Sequence, residues 1–217
     1  MFIVIDGGDG AGKGVQIEAL KKWLRKRGLE TIQLRDPGST ALGEEIRALL
    51  LSRHELNICP KAETALFMAA RAQMVQEKIK PALQAGKIVL MDRYLLSTVV
   101  YQGYANDASE ETIAQIWKIG AILAEGTLPD LTFILDCPVE VSEQRLNRPK
   151  DRMEQKSVEF RRKVVEGYRR ATLNWRENTR GEAFLIDATQ PPEQVAETIV
   201  KILEKKLQAL THESLSR

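Results

Sequence analysis

The amino-acid sequence predicts an α/β fold with three layers, α/β/α, around a five-stranded parallel sheet. Five short apolar runs recur along the 217 residues, and stretches with helical periodicity separate them. The runs are apolar at nearly every position, which is typical of strands whose two faces are both covered by helices. With 43% hydrophobic residues the chain can build a sizeable core, and its length suits one domain spanning residues 1–217.

The predicted strands are all short and buried in character. In chain order they are Phe2–Ile5, Thr31–Leu34, Ile88–Met91, Leu131–Leu135 and Ala183–Ile186. Ligands of open parallel sheets gather at the carboxyl ends of the strands, so polar residues just after each run are the first candidates for a site.

Apolar residues spaced three and four apart predict amphipathic helices between the strands. The faces of three helices are Ile17, Leu20, Trp23 and Leu24; Ile113, Ile116, Trp117 and Leu123; and Val195, Ile199, Ile202, Leu203, Leu207 and Leu210. Thr189, followed by Pro191 and Pro192, marks the start of the last helix.

A glycine-rich turn follows the first strand and matches the motif G-x-x-x-x-G-K. The turn comprises Gly7, Gly8, Asp9, Gly10, Ala11, Gly12, Lys13 and Gly14. Glycines let successive backbone N–H groups point at one anion, and the helix that begins near Lys13 adds its positive end. The Lys13 ammonium adds a full charge. A strand before the loop and a helix after it supply the context that the motif requires, so the sequence predicts a loop that binds nucleotide phosphates rather than an ordinary turn.

One position departs from this motif. Gly14 occupies the place of the Ser or Thr whose hydroxyl ligates Mg²⁺ in such loops. The metal therefore loses one direct ligand, and water can take its place because glycine leaves room. Two interpretations stay open: an enzyme with weaker Mg²⁺ or ATP binding, or a slow enzyme or non-catalytic nucleotide binder.

Polar residues also follow the second and third strands, at Arg35–Thr40 and Asp92–Tyr94. Each segment alone is as compatible with a Pro-Gly turn or a surface ion pair as with a site. Three polar strand ends on one edge of one sheet favour a site.

The chain resembles the thymidylate kinase family from Phe2 to about Leu203. The resemblance rests on several short motifs in the family's order: G-x-D-G-A-G-K at Gly7–Lys13, R-D-P-G-S-T at Arg35–Thr40, E-x-I-R at Glu44–Arg47, L-F-x-A-A-R-A-Q at Leu66–Gln73, D-R-Y at Asp92–Tyr94, S-x-x-x-Y-Q-G at Ser97–Gly103 and D-R-x-E at Asp151–Glu154. It implies a P-loop kinase type of fold, phosphorylation of dTMP to dTDP with ATP and Mg²⁺, and a cytoplasmic homodimer.

The resemblance also implies an acceptor site. Phe67 and Arg71 are four residues apart and share a helix face, where a ring and a fork of donors suit a nucleobase. The family assigns them to thymine; by themselves they are better explained as a core Phe and a solvated Arg. The remaining implied contacts are Arg93 with the acceptor phosphate, Arg35 and Arg47 as further candidates for it, Asp9 with the sugar 3′-hydroxyl, and Ser97, Tyr101 and Gln102 around the sugar and base. Tyr101 also fits a helix core.

A basic cluster precedes a polar helix at Arg145, Arg148, Lys150 and Arg152. The resemblance places it in a lid, about residues 145–156, that closes over ATP. Gly10 follows Asp9, where one subgroup of the family has an arginine, so the lid is expected to supply the catalytic arginines, Arg148 and Arg152. The implied catalytic set is Asp9, Lys13, Asp92, Arg93, Arg148 and Arg152, and the implied Mg²⁺ set is Asp9, Asp92 and Glu154.

Composition excludes several other classes of protein. Lys+Arg 32 against Asp+Glu 30 gives a net charge of +2, and no aromatic residue interleaves the basic cluster, so a nucleic-acid partner is not expected. No run approaches a membrane span or a signal peptide, and two distant cysteines with two histidines predict no zinc site. A GTPase is disfavoured because no N-K-x-D motif occurs. A related kinase for another deoxynucleoside monophosphate, such as dUMP, stays open, as does a nucleotide-sensing pseudokinase.

Overall fold

The computed structural model describes residues 1–52, 55–145, 152–153, 155–173, 175, 179 and 181–215. Five strands form one parallel sheet in the order β2-β3-β1-β4-β5. Their bounds are β1 Phe2–Gly7, β2 Thr31–Arg35, β3 Ile88–Asp92, β4 Leu131–Asp136 and β5 Glu182–Asp187. The α/β prediction and all five predicted strands are confirmed, with strand ends shifted by two residues at most.

The order of the strands brings the polar strand ends together. In the register of the sheet, Ile5 of β1 lies beside Asp92 of β3, and Asp92 lies beside Arg35 of β2. On the other side, Gly7 lies beside Leu135 of β4. The glycine-rich turn is therefore central, and the segments after β2 and β3 flank it on one side.

Helices cover both faces of the sheet. They are α1 Lys13–Lys26, α2 Ala41–Leu51, α3 Pro60–Met74, α4 Lys80–Gln84, α5 Leu95–Thr98, α6 Glu110–Leu123, α7 Val139–Arg145, α8 Val158–Leu173 and α9 Pro192–Leu215. Across these described helices, none combines the length and the apolarity needed to cross a membrane.

Two π-helical segments interrupt the helical layer. Val75–Ile79 joins α3 to α4, and Val99–Gly103 continues α5 and leads into a short 3₁₀ turn at Tyr104–Asn106. Such single-turn π segments are rare in proteins as a whole, but those that occur often lie at functional sites. The second one carries Tyr101 and Gln102.

Two apolar layers meet at the sheet. Phe2 and Val4 of β1 point to the layer formed with α3, α5, α6 and α8, whereas Ile3 and Ile5 point to the layer formed with α1 and α9. The expected helix faces are largely buried. Leu123 differs: it is the last residue of α6 and 43% exposed, so it does not belong to the buried face of this helix.

Two free cysteines differ in environment. Cys59 is exposed and caps the N-terminus of α3. Cys137 directly follows β4 and is buried, and burial raises the pKa of its thiol.

Candidate active site

The glycine-rich loop between β1 and α1 has a backbone that only glycine adopts readily. Gly7, Gly10 and Gly12 have φ angles of 134°, 77° and 95°. A side chain at Gly7 is also excluded by space, because a Cβ there would lie 2.6 Å from the carbonyl oxygen of Leu135. Gly12 caps α1 without a side-chain hydrogen bond, which leaves the first N–H groups of the helix for an anion.

Lys13 folds back over this loop. Its Nζ donates to the carbonyl oxygens of Gly7, at 3.2 Å, and Gly8, at 2.8 Å. Burial lowers the pKa of the Lys13 ammonium, and the positive charge of Arg93 acts in the same direction. The loop thus holds a desolvated cation, which interacts with an anionic ligand more strongly than an ammonium in water does.

Arg93 follows β3 and spans the two halves of the site. It adopts a left-handed backbone, with φ 66°, and its Nη1 donates to the carbonyl oxygen of Gly7 at 3.0 Å. Its Nη2 donates to Asp9 Oδ1 and, at 3.3 Å, to the hydroxyl of Tyr101, which itself donates to Asp9 Oδ2 at 2.8 Å. Burial acts to lower the pKa of Arg93, but Tyr101 and Asp9 outweigh burial and raise it.

A buried carboxylate shares two hydrogen-bonding partners with Arg93. Asp6 is fully buried, and its Oδ1 accepts from Gly7 N at 2.9 Å, Ser97 Oγ at 2.7 Å and Tyr168 Oη at 2.6 Å. Arg93 Nη1 in turn donates to Ser97 and Tyr168, at 3.1 and 3.2 Å. Burial raises the pKa of the Tyr168 hydroxyl, which therefore stays a neutral donor.

Neither Asp6 nor Tyr168 was among the site residues predicted from the sequence. A carboxylate at the end of an apolar strand is a usable signal for Asp6, since such a group needs partners when buried. Nothing in the pattern around Tyr168 distinguishes it from an ordinary aromatic residue on an amphipathic helix.

Arg71 forms the far wall of the site, on α3. Its side chain is 2% exposed, so the interpretation as a solvated arginine is wrong. Nε donates to Asp36 Oδ2 at 2.6 Å, and Nη2 donates to Thr98 Oγ1 at 2.7 Å. Burial raises the pKa of the Asp36 carboxyl, against the opposing charge of Arg71. Phe67, one turn earlier, is half-buried and packs against the small cluster of Ile46, Leu50 and Ala70.

One cavity of about 440 Å³ joins the loop to this wall. Its lining includes most of the sequence-predicted site residues: Asp9, Gly10, Gly12, Lys13, Gly14, Arg47, Phe67, Arg71, Asp92, Arg93, Ser97, Tyr101 and Gln102. Asp36, Pro37, Tyr94, Thr98 and Met153 also line it.

The two further arginines predicted to bind phosphate, Arg47 and Arg35, differ in their surroundings. Arg47 lines the cavity and donates from Nη1 to the carbonyl oxygen of Pro37 at 2.9 Å. Arg35 is about half exposed and pairs with Glu44 at 2.9 Å. A hydrogen bond from Ser39 N to Glu44 lowers the pKa of that carboxyl, and the pair with Arg35 adds to the effect.

The predicted lid is described only in part. Arg148, Lys150 and Glu154 lie outside the described residues. Arg145 donates from Nη1 to the carbonyl oxygen of Ala188 at 2.8 Å. Arg152 lies against α2 and α3, where Nε donates to Leu50 O at 2.7 Å and Nη2 pairs with Glu63 at 2.5 Å.

Of the three predicted Mg²⁺ ligands, only Asp9 and Asp92 belong to the described residues. Asp92 lines the cavity, and its buried Oδ1 has no hydrogen-bond partner among the described residues. Asp9 is engaged by Arg93 and Tyr101. Within the described ranges no three His, Cys, Asp or Glu side chains gather as a metal site. One carboxylate with water and phosphate oxygens fits Mg²⁺, which keeps several waters in nucleotide sites.

Gly14 lines the same cavity beside the loop. A Cβ at this position would meet nothing within 4 Å, so the site has space for the hydroxyl-bearing residue of the motif.

Comparison with known proteins gives a consistent result. A family model described as "Thymidylate kinase" matches residues 5–199. A thymidylate kinase of Rhodopirellula baltica is 41% identical over 201 residues, which covers 93% of this chain and 79% of that protein. Thymidylate kinases of Caldanaerobacter subterraneus subsp. tengcongensis and Thermoanaerobacter sp. (strain X514) are each 39% identical over 207 residues, with coverage of 95% of this chain and 96% and 98% of theirs.

Proposed function

This chain belongs to the thymidylate kinase family, and from that membership we propose that it transfers the γ-phosphoryl group of ATP to the phosphate of dTMP. The observation that carries the proposal is the cavity of about 440 Å³, which has the phosphate loop at one end and the Phe67–Arg71 wall at the other. Arg93 lies between the two ends. Two anionic nucleotides bound at these ends would meet beside one partly buried guanidinium.

The donor phosphates are assigned to the loop. The N–H groups of the loop and the uncapped start of α1 can bind an anion, and Lys13 supplies a positive charge beside them. The loop carbonyls of Gly7 and Gly8 accept hydrogen bonds from the Lys13 ammonium. Binding ATP exchanges these neutral acceptors for charged oxygens, which make stronger hydrogen bonds.

The acceptor phosphate is assigned to Arg93. The attacking oxygen of a nucleoside monophosphate is already anionic at neutral pH, so alignment and charge neutralisation matter more than a general base. A guanidinium suits this role because it grips two oxygens at once. Asp9 and Tyr101 hold its Nη2 in place, and the same Asp9 carboxylate would accept a hydrogen bond from the sugar 3′-hydroxyl.

The thymine base is assigned to the far wall. The Phe67 ring offers a stacking face, and Arg71 and Gln102 offer donors near the base. The ion pair with Asp36 holds the Arg71 guanidinium in one orientation. Tyr101, which lies beside Asp9, would exclude a ribose 2′-hydroxyl and so favour deoxynucleotides.

Mg²⁺ would be held by Asp92 through its cavity-facing carboxylate, with water and phosphate oxygens as its other ligands. When bound, it neutralises charge on the donor phosphates. Arg148 and Glu154 remain proposals from the resemblance alone, as do the homodimer and the cytoplasmic location.

The test is ADP release with ATP, Mg²⁺ and each nucleoside monophosphate in turn. We expect fast release with dTMP, slower release with dUMP and little with ribonucleotides or purines. Tight dTMP binding without turnover in calorimetry would instead identify a nucleotide sensor. Release that is fastest with another monophosphate would reassign the acceptor.

A further inference from the structure

The described residues just before α8 dock onto the wall of the acceptor cavity. The backbone N–H of Arg152 donates to Leu51 O at 3.2 Å, and its Nε donates to Leu50 O at 2.7 Å. Both carbonyls belong to the last turn of α2, where helix carbonyls have no partner within the helix. The segment thus caps the end of α2 with one side chain and one amide.

The charge of Arg152 is met by Glu63 of α3. Nη2 lies 2.5 Å from Glu63 Oε1, and the two side chains are 16% and 4% exposed. A carboxylate so deeply buried needs a charged partner, because removing an ion from water costs several kcal/mol. The buried carboxylate of Glu63 on α3 therefore holds the Arg152 guanidinium in place.

The same carboxylate contacts a residue of the cavity wall. Glu63 Oε2 accepts from Gln102 Nε2 at 3.3 Å, and Gln102 lines the cavity from the π-helical segment. Met153, directly after Arg152, is 6% exposed and lines the cavity as well. One buried acid therefore connects the end of the predicted lid with two groups that border the acceptor.

We propose that Glu63 is a positioning residue for acceptor binding, and that the Glu63–Arg152 pair clamps Arg152 and Met153 onto the acceptor cavity. The clamp seats Met153 as part of the cavity wall and fixes the amide of Gln102. Arg152 then acts through Glu63 and not on the phosphoryl group in transfer. The inference rests on the proposed function, since it concerns the dTMP end of the same site.

Single variants and their combination separate these two roles of Arg152. Glu63→Gln, Arg152→Gln and the double variant are compared for kcat, KM for dTMP, KM for ATP and the calorimetric Kd for dTMP. Couplings between sites of this kind change affinity by about 5- to 150-fold. We expect each single variant to raise the KM and Kd for dTMP by about tenfold or more, with kcat lowered less than about fivefold. Because the residues act as a pair, the double variant should be no worse than either single variant.

A different pattern would overturn the clamp. If Arg152→Gln lowers kcat by about 10³-fold while Glu63→Gln behaves as the wild type, Arg152 acts on the transferred group. Arg152→Lys keeps the charge but loses the Nε contact with Leu50, so an intermediate KM for dTMP supports the clamp and a wild-type KM contradicts its second contact. This milder variant also serves if Glu63→Gln fails to fold.

A matched control is available on the neighbouring helix. Arg161 of α8 pairs with Glu143 of α7 at 2.6 Å and is 13% exposed, similar to Arg152. Arg161→Gln should leave the KM for dTMP unchanged, and an equal rise there would mean that any broken pair near the lid has this effect. If the wild type binds dTMP but releases no ADP, the proposed function fails, while the Kd comparison still decides the clamp. Absence of dTMP binding overturns both.

Discussion

The two ends of the cavity are built in different ways. At the phosphate loop, the geometry comes from contiguous residues, and Lys13 is satisfied by carbonyls only five and six positions away. At the acceptor wall, two arginines are fixed by distant acids: Arg71 by Asp36, 35 positions away, and Arg152 by Glu63, 89 positions away. The first end is a local backbone structure, and the second is a set of long-range charge pairs.

This difference separates function from stability. A functional side chain on a local loop can be removed without leaving a buried charge alone. A functional arginine in a buried ion pair cannot, because its acid stays behind. The acceptor end should therefore lose stability together with binding, whereas the donor end should lose activity alone.

The largest expected effect is at Arg71. Arg71→Ala leaves Asp36 buried and unpaired, and such changes cost about 3–5 kcal/mol of unfolding free energy. Urea unfolding measures it. Arg71→Met combined with Asp36→Leu removes both charges and should recover most of the stability while dTMP binding stays lost. Wild-type stability of Arg71→Ala would show that the pair is not structural.

The second effect is at Lys13. Lys13→Met should lower kcat by about 10²–10³-fold, the loss typical of one stabilising donor, which corresponds to about 2.7–4 kcal/mol. Its unfolding free energy should stay near that of the wild type. Lys21→Met, on the exposed face of the same helix, is the control and should keep full activity. A large loss of stability in Lys13→Met would erase the contrast between the two ends.

A smaller effect is expected where the two ends meet. Tyr168→Phe removes the hydroxyl that links α8 to Asp6 and Arg93, leaving a buried acceptor short of one donor at a cost of about 1–3 kcal/mol. We expect this stability loss together with a several-fold rise in the KM for dTMP. Thr172→Val, which removes the hydroxyl that bonds to the Tyr168 carbonyl, controls for damage to α8. A rise confined to the KM for ATP would assign the network to the donor end.

The smallest effect concerns Gly14. Gly14→Ala and Gly14→Ser both have space and both replace a helical glycine, which gains up to about 1 kcal/mol of stability. Only serine adds a hydroxyl, so only Gly14→Ser should lower the Mg²⁺ concentration for half-maximal activity. The same Mg²⁺ requirement in all three proteins would place this position outside the metal shell.

The sequence predicted the strands and the glycine-rich loop but not the charge pairs of the acceptor wall, and one physical reason explains both outcomes. Glycines, the loop lysine and five apolar runs act on neighbouring residues, so their spacing alone indicated the strands and the loop. The partners of Arg71 and Arg152 are chosen by the packing of α3 against other elements, which no local pattern encodes. Asp6 and Tyr168, 162 positions apart, show the limit most clearly, since a single hydrogen bond joins them.

The two cysteines differ in exposure, so one of them can be labelled selectively with a fluorescent dye. A maleimide dye reacts with accessible thiolate, so it should attach to exposed Cys59 and spare buried Cys137. Cys59 stands one helical turn before Glu63, on the helix that receives the clamp. Fluorescence from a dye at this position would therefore respond when the Glu63–Arg152 pair is broken, with no cysteine added or removed.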